Sequence, residues 1–132
     1  MTPDEIETDI LNAAREWAFV RSCVTVDKTA HVLKMRLHIA PDCFIQTYTN
    51  VEKQLFSYSL VLNRERIYGR DSEGGRWHRH PYGAADSHDF SKSGSTPVTV
   101  SEFLLEVQTV LEQEEILLNS SRSQDSFPGS CS

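Results

Sequence analysis

Three of the five histidines fall within eleven residues. His78, His80 and His88 stand in two linked stretches, Arg76-Trp77-His78-Arg79-His80-Pro81-Tyr82-Gly83 and Asp86-Ser87-His88-Asp89-Phe90. On a strand, His78 and His80 project to one face with Arg76, and the Pro81-Tyr82-Gly83 turn can fold His88 back toward them. Two imidazoles beside a guanidinium suit cleavage of a phosphodiester through a ribose 2′-hydroxyl. One ring takes the hydroxyl proton, another protonates the leaving oxygen, and Arg76 offsets the charge that builds on the phosphorane-like transition state. His88 and Tyr82 complete the expected catalytic set. That route needs no metal, and no cofactor is expected.

Two other readings use the same residues. A His-x-His pair with a third His supplies three neutral nitrogen donors, and Asp86 or Asp89 adds a carboxylate, which is the ligand set of a zinc-type or facial-triad metalloenzyme. The neighbouring charges of Arg76 and Arg79 oppose a dication there. The third reading is a structured surface loop whose histidines do no chemistry, with Trp77 and Tyr82 packed against the core.

The elements that must position these residues are legible from period and punctuation. Thr2, Pro3 and Glu5 form a capping box with proline at the first helical position, and Ile6, Ile10, Ala13, Trp17 and Val20 follow on one face. From Cys23 the period becomes two. Residues 31–39 alternate Leu33, Met35, Leu37 and Ile39 against Lys34, Arg36 and His38, the pattern of a half-buried strand with a cationic outer face. Turns at Ala40-Pro41-Asp42, Asn50 to Lys53, Asn63-Arg64-Glu65 and Ser72-Glu73-Gly74-Gly75 separate further strands over 43–49, 55–62 and 66–71. Residues 81–96 are rich in Gly, Ser, Asp and Pro and read as a long loop, a length at which loops tend to be functional. A second capping box, Thr99 to Glu102, starts a helix that buries Phe103, Leu104, Val107, Val110, Leu111 and Leu118 and exposes Glu106, Glu112, Glu114 and Glu115.

The expectation is an α+β domain over residues 1–118, an antiparallel β-meander of five or six strands with N- and C-terminal helices packed on one face, followed by a Ser-rich disordered tail over 119–132. The uncovered face would gather Lys34, Arg36, His38, Arg66, Tyr68, Arg70, Arg76, His78 and His80. Lys34, Arg36, Arg66, Tyr68, Arg70 and Arg79 would then serve as RNA-binding residues, the cations holding phosphates and Tyr48 or Tyr68 stacking unpaired bases.

The 132-residue chain has a net charge of -6, which argues against indiscriminate binding to nucleic acid. Its distribution narrows that statement. Residues 1–63 carry -2 and residues 81–132 carry -6, whereas residues 64–80 carry +2 and hold two of the clustered histidines. Apolar runs reach only four or five residues, far below the ~18 that span a bilayer, and the acidic N-terminus lacks the pattern of a secretory signal. The expected location is cytoplasmic, with no membrane partner. Cys23, Cys43 and Cys131 are too few and too dispersed for a disulfide framework and read as reduced thiols, the first two as packing residues in strands.

Tyr68-Gly69-Arg70-Asp71, Trp77-His78-Arg79-His80-Pro81 and Asp86-Ser87-His88, preceded by a meander, resemble the TumE-type toxin family of bacterial toxin–antitoxin modules. The resemblance covers about half of the chain, and a single downstream histidine, His88, stands where that family tends to show several. It implies a toxin acting on RNA and held inactive by a cognate antitoxin protein; the histidine chemistry above makes the expected activity that of an endoribonuclease. A non-catalytic partner-binding protein is the alternative outside enzymology, and homo-oligomers are compatible with either.

Overall fold

A computed structural model describes residues 1–116; the expected tail over 119–132 and Leu118 lie outside the described residues. Helix α1 spans Pro3–Arg15. The Thr2 hydroxyl accepts from the Glu5 N–H at 3.2 Å, and the Glu5 carboxylate accepts from the Thr2 N–H at 2.8 Å, so both donors are satisfied reciprocally. The helix stops earlier than the apolar stripe. Glu16 caps it, and Trp17 and Val20 follow in a Trp-Ala-Phe-Val run with little helix propensity, though both still reach the core.

Six strands form one antiparallel sheet in sequence order. They are β1 (Ser22–Lys28), β2 (Val32–Ala40), β3 (Cys43–Asn50), β4 (Leu55–Leu62), β5 (Glu65–Asp71) and β6 (His78–His80). Leu62 pairs with Glu65 across a two-residue hairpin whose central residues, Asn63 and Arg64, have φ of 51° and 71°. Two positive φ values are what a type I′ turn requires, and that turn matches the twist of the strands it joins.

Register sorts the side chains. Leu33, Met35 and Leu37 lie opposite Thr49, Thr47 and Ile45, and Ile45 lies opposite Leu60; all are buried on one face. Helix α2 (Val100–Gln113) repeats the capping box at Thr99 and Glu102, and buries Phe103, Leu104, Val107 and Leu111 on that same face. Helix α1 is tied there as well, since the Lys28 ammonium donates to Asp4 at 2.8 Å and to Glu7 at 3.0 Å. The fold is therefore α+β, with both helices behind the sheet and no described helix on the other, uncovered face, whose β5–β6 end lies beneath the segment that follows β6, so that Asp71, His78 and His80 are buried there. Cys43 is a free buried thiol whose pKa burial pushes up to about 12, with Asp42 adding to the rise. Cys23 is disulfide-bonded, in contrast to the reduced state expected of it.

Between β6 and α2 the chain folds back along the outer edge of the sheet. Arg79 and Asp89 exchange two backbone hydrogen bonds, at 3.1 and 2.8 Å, as an isolated antiparallel bridge. The loop thus extends the ladder by one residue pair and carries His88 alongside β6. Gly94 admits no Cβ, because one would collide with the Asp89 carbonyl.

Candidate functional site

The site begins with the hairpin of β5 and β6. Asp71 pairs with His78 and Gly69 with His80, so these four residues share the uncovered face. Glycine suits that position, since a Cβ on Gly69 would sit 3.0 Å from the Tyr58 carbonyl. The bridge between Arg79 and Asp89 sends its own side chains to one side and their neighbours to the other, which brings His88 against both rings of β6. Ring centroids lie 5.0 Å apart for His78 and His80, 4.7 Å for His78 and His88, and 5.0 Å for His80 and His88.

Both buried rings are held at both nitrogens. The His78 Nδ1 lies 2.9 Å from the Arg76 carbonyl, and the His80 Nδ1 lies 3.0 Å from the Ala85 carbonyl. A carbonyl can only accept, so each Nδ1 carries the proton. The Nε2 atoms then converge on one carboxylate: Asp71 Oδ1 is 2.9 Å from His78 Nε2, and Asp71 Oδ2 is 3.0 Å from His80 Nε2. Burial pushes the His80 pKa down, Arg66 pushes it further, and the hydrogen bond to Asp71 opposes both. His88 is the exposed member of the trio.

Asp71 is the central residue that sequence reasoning missed. Asp86 and Asp89 are closer to the histidines in the chain, but Asp89 is bound to Arg79 and Ser91, with its pKa held down to about 2 chiefly by those Ser91 bonds. The available signal was the β5–β6 hairpin itself, which makes residue 71 the cross-strand partner of residue 78.

The remaining expected site residues divide by face. Arg76 stacks on Phe90 at 4.3 Å, and Phe90 in turn lies 5.1 Å from the His78 ring, so Arg76 stands one aromatic ring away from the cluster. Tyr82 is exposed on its turn and makes no hydrogen bond or ring contact among the described residues. Its expected packing on the core is corrected; Trp77 alone does that, stacked with Phe56. Tyr68 and Arg70, expected on the uncovered face, point the other way and are buried under α2. The reason is register: Leu60 pairs with Tyr68 and Tyr58 with Arg70, both on the helix face. Glu106, expected to be exposed, meets them there, accepting from the Tyr68 hydroxyl at 2.6 Å and from the Arg70 Nε and Nη2 at 3.0 and 2.8 Å. Burial, then Glu106, pushes the Tyr68 hydroxyl up to about 12. Arg79 also turns from the cluster and donates to Asp89 at 2.7 and 2.9 Å and to Ser93.

Lys34, Arg36 and Arg66 remain on the uncovered face. Two continuous cross-strand rows lead from Lys34 and Arg36 to the histidines: Lys34, Tyr48, Ser57, Asp71, His78, and beside it Arg36, Gln46, Ser59, Gly69, His80. Four strand spacings separate the ends of each row, about 19 Å. Arg36 donates to Gln46 at 3.3 Å and lies 4.7 Å over Phe44. Arg66 donates to the Ala85 carbonyl at 3.2 Å, beside the His80 anchor. His38, two residues along from Arg36, has its pKa lowered by burial and then by that guanidinium. Comparison with protein-family models, with curated proteins and with solved structures returns no match.

Proposed function

We propose that the protein is a ribonuclease that draws single-stranded RNA across the uncovered face of its sheet to the histidine cluster, and that it serves as the toxin of a toxin–antitoxin module. The two cross-strand rows carry this reading. Lys34 and Arg36 supply phosphate contacts at one end, Tyr48 offers a ring on which a base can stack, and the hydroxyl and amide groups of Ser57, Ser59 and Gln46 suit 2′-hydroxyls. Both rows end at His78 and His80, with Arg66 beside them as a cation that donates to the Ala85 carbonyl.

The proton-transfer pair expected from residue types takes a different form. His78 and His80 have both ring nitrogens engaged, so neither offers one to a substrate hydroxyl. His88 is the exposed imidazole that a phosphodiester meets at this end of the face. The acidic surfaces of the helices, including Asp4, Asp9, Glu16, Glu102 and Glu112, stand behind the sheet and suit a basic antitoxin without blocking the RNA face.

The test is a single-stranded RNA oligonucleotide labelled with a fluorophore and quencher. Cleavage is expected for RNA and not for its all-deoxy counterpart, with activity lost in His88→Ala. The double variant Lys34→Glu with Arg36→Glu should weaken RNA binding at least tenfold, and that binding should fall with added salt. Absence of both binding and cleavage overturns the reading; binding without cleavage leaves a non-catalytic RNA-binding protein.

A further inference from the structure

We propose that His78, His80 and His88 bind one divalent transition-metal ion, with zinc the foremost candidate and the Asp71 carboxylate between the two buried rings supporting the site, in place of the metal-free route that the residue types alone suggest. The argument rests on where lone pairs point. The Arg76 and Ala85 carbonyls fix the proton of each buried ring on Nδ1. In its neutral form a ring so anchored turns the Nε2 lone pair outward, and in both rings Nε2 is aimed at an oxygen of a single buried carboxylate. In that form two nitrogen lone pairs and the carboxylate face one another, and the donor that Asp71 has in place is the Glu73 N–H, which reaches Oδ1 at 3.0 Å. A cation placed among them satisfies all three.

The surroundings have the form of a metal site. Ligating histidines characteristically donate their second ring N–H to a carbonyl or carboxylate, which fixes tautomer and orientation, and both buried rings do so here. Metal–ligand bonds of about 2.0–2.1 Å around a shared ion place neighbouring ligand atoms roughly 3 Å apart. Asp71 meets the two rings at 2.9 and 3.0 Å. The ligand nitrogens of all three histidines lie within 4.8 Å of one another. Arginine charges that would oppose a dication are directed elsewhere: Arg79 to Asp89, Arg70 to Glu106 and Arg76 onto the Phe90 ring. Arg66, near His80, is the cation that stays close.

Three imidazole nitrogens suit zinc and cobalt. Because His88 is exposed, the coordination sphere has a side open to solvent and substrate, the property that separates catalytic from structural zinc sites. An ion there would polarise a phosphoryl oxygen and lower the pKa of bound water. The proposal deepens the ribonuclease reading, but metal binding is measured without RNA, so either can fail alone.

The experiment uses chelator-treated full-length protein titrated with Co²⁺ and followed by visible absorption, with Zn²⁺ competition giving the affinity. Saturation at one Co²⁺ per chain with ligand-field bands is expected. His88→Ala, at an exposed position where the far-ultraviolet circular dichroism should stay that of wild type, should alter those bands and weaken binding by about tenfold or more; Asp71→Asn should do likewise. Asp86→Asn should change neither. A folded wild-type chain that binds no Co²⁺ or Zn²⁺, or binding that is indifferent to His88→Ala and Asp71→Asn, overturns the proposal and leaves protons in the positions assigned to the ion.

Discussion

Two buried ionic clusters lie on opposite faces of the same strand, one residue apart. Arg70 is 3% exposed and Asp71 is 5% exposed, so solvent relieves neither. On the helix face the chemistry is complete. Arg70 gives two donors to Glu106 and shares the two N–H groups of Nη1 among the carbonyls of Ser93, Gly94 and Thr96, so these donors face acceptors. On the uncovered face Asp71 accepts from the Glu73 N–H at 3.0 Å and otherwise meets two rings whose Nδ1 donors are already committed to carbonyls. A buried group with all its partners in place holds the structure together; a buried set short of a cation or of protons is where a ligand gains most by binding.

The contrast can be broken by mutation. Arg70→Met should cost about 3–5 kcal/mol in urea unfolding, because it strands the half-buried Glu106 carboxylate and three carbonyls at once. A loss below about 1 kcal/mol would mean that the helix-side cluster is held by packing and not by its charges.

A smaller effect is expected from pH. Burial, followed by Arg66, lowers the pKa of His80 in the folded chain. Between that lowered value and the unfolded value of about 6.5, the unfolded chain binds more protons, so stability rises with pH across this window. The contribution is present above about 6.5 and is lost as pH falls through the folded value. Urea midpoints of chelator-treated protein should therefore drop from pH 8 to pH 5, and His80→Gln should flatten that slope. His38 shifts in the same direction, so the informative quantity is the difference between variant and wild type. Equal slopes would place the titrating group outside the cluster.

The smallest change is predicted at Asp71 itself. In chelator-treated protein at pH 8, Asp71→Asn gives one Nε2 lone pair a donor and removes a buried charge, so stability should stay within about 1 kcal/mol of wild type. A loss as large as that of Arg70→Met would show that both rings are imidazolium and that the two clusters are equivalent after all.

Much of this arrangement could be read along the chain. The capping boxes at Thr2 and Thr99, the alternation through β2 and the turn residues between strands are local signals, and each marked an element that the structure contains. The trio His78, His80 and His88 was visible for the same reason, since proximity in sequence across one turn carried it. What local signals left open was the face on which each residue of β5 would lie. One register step separates Tyr68 and Arg70 from Gly69 and Asp71, and strand alternation by itself does not say which pair a helix will cover.

The sequence by itself determined the elements, their order and the histidine cluster, because helix caps, period and turn chemistry act over a few residues. Only the tertiary structure decided that Asp71 joins the histidines while Arg70 joins Glu106. Those partners are 7 residues apart for Asp71 and His78 but 36 apart for Arg70 and Glu106. The sheet register and the seat of α2 on one face bring them together, and both are fixed by burial of the whole apolar core.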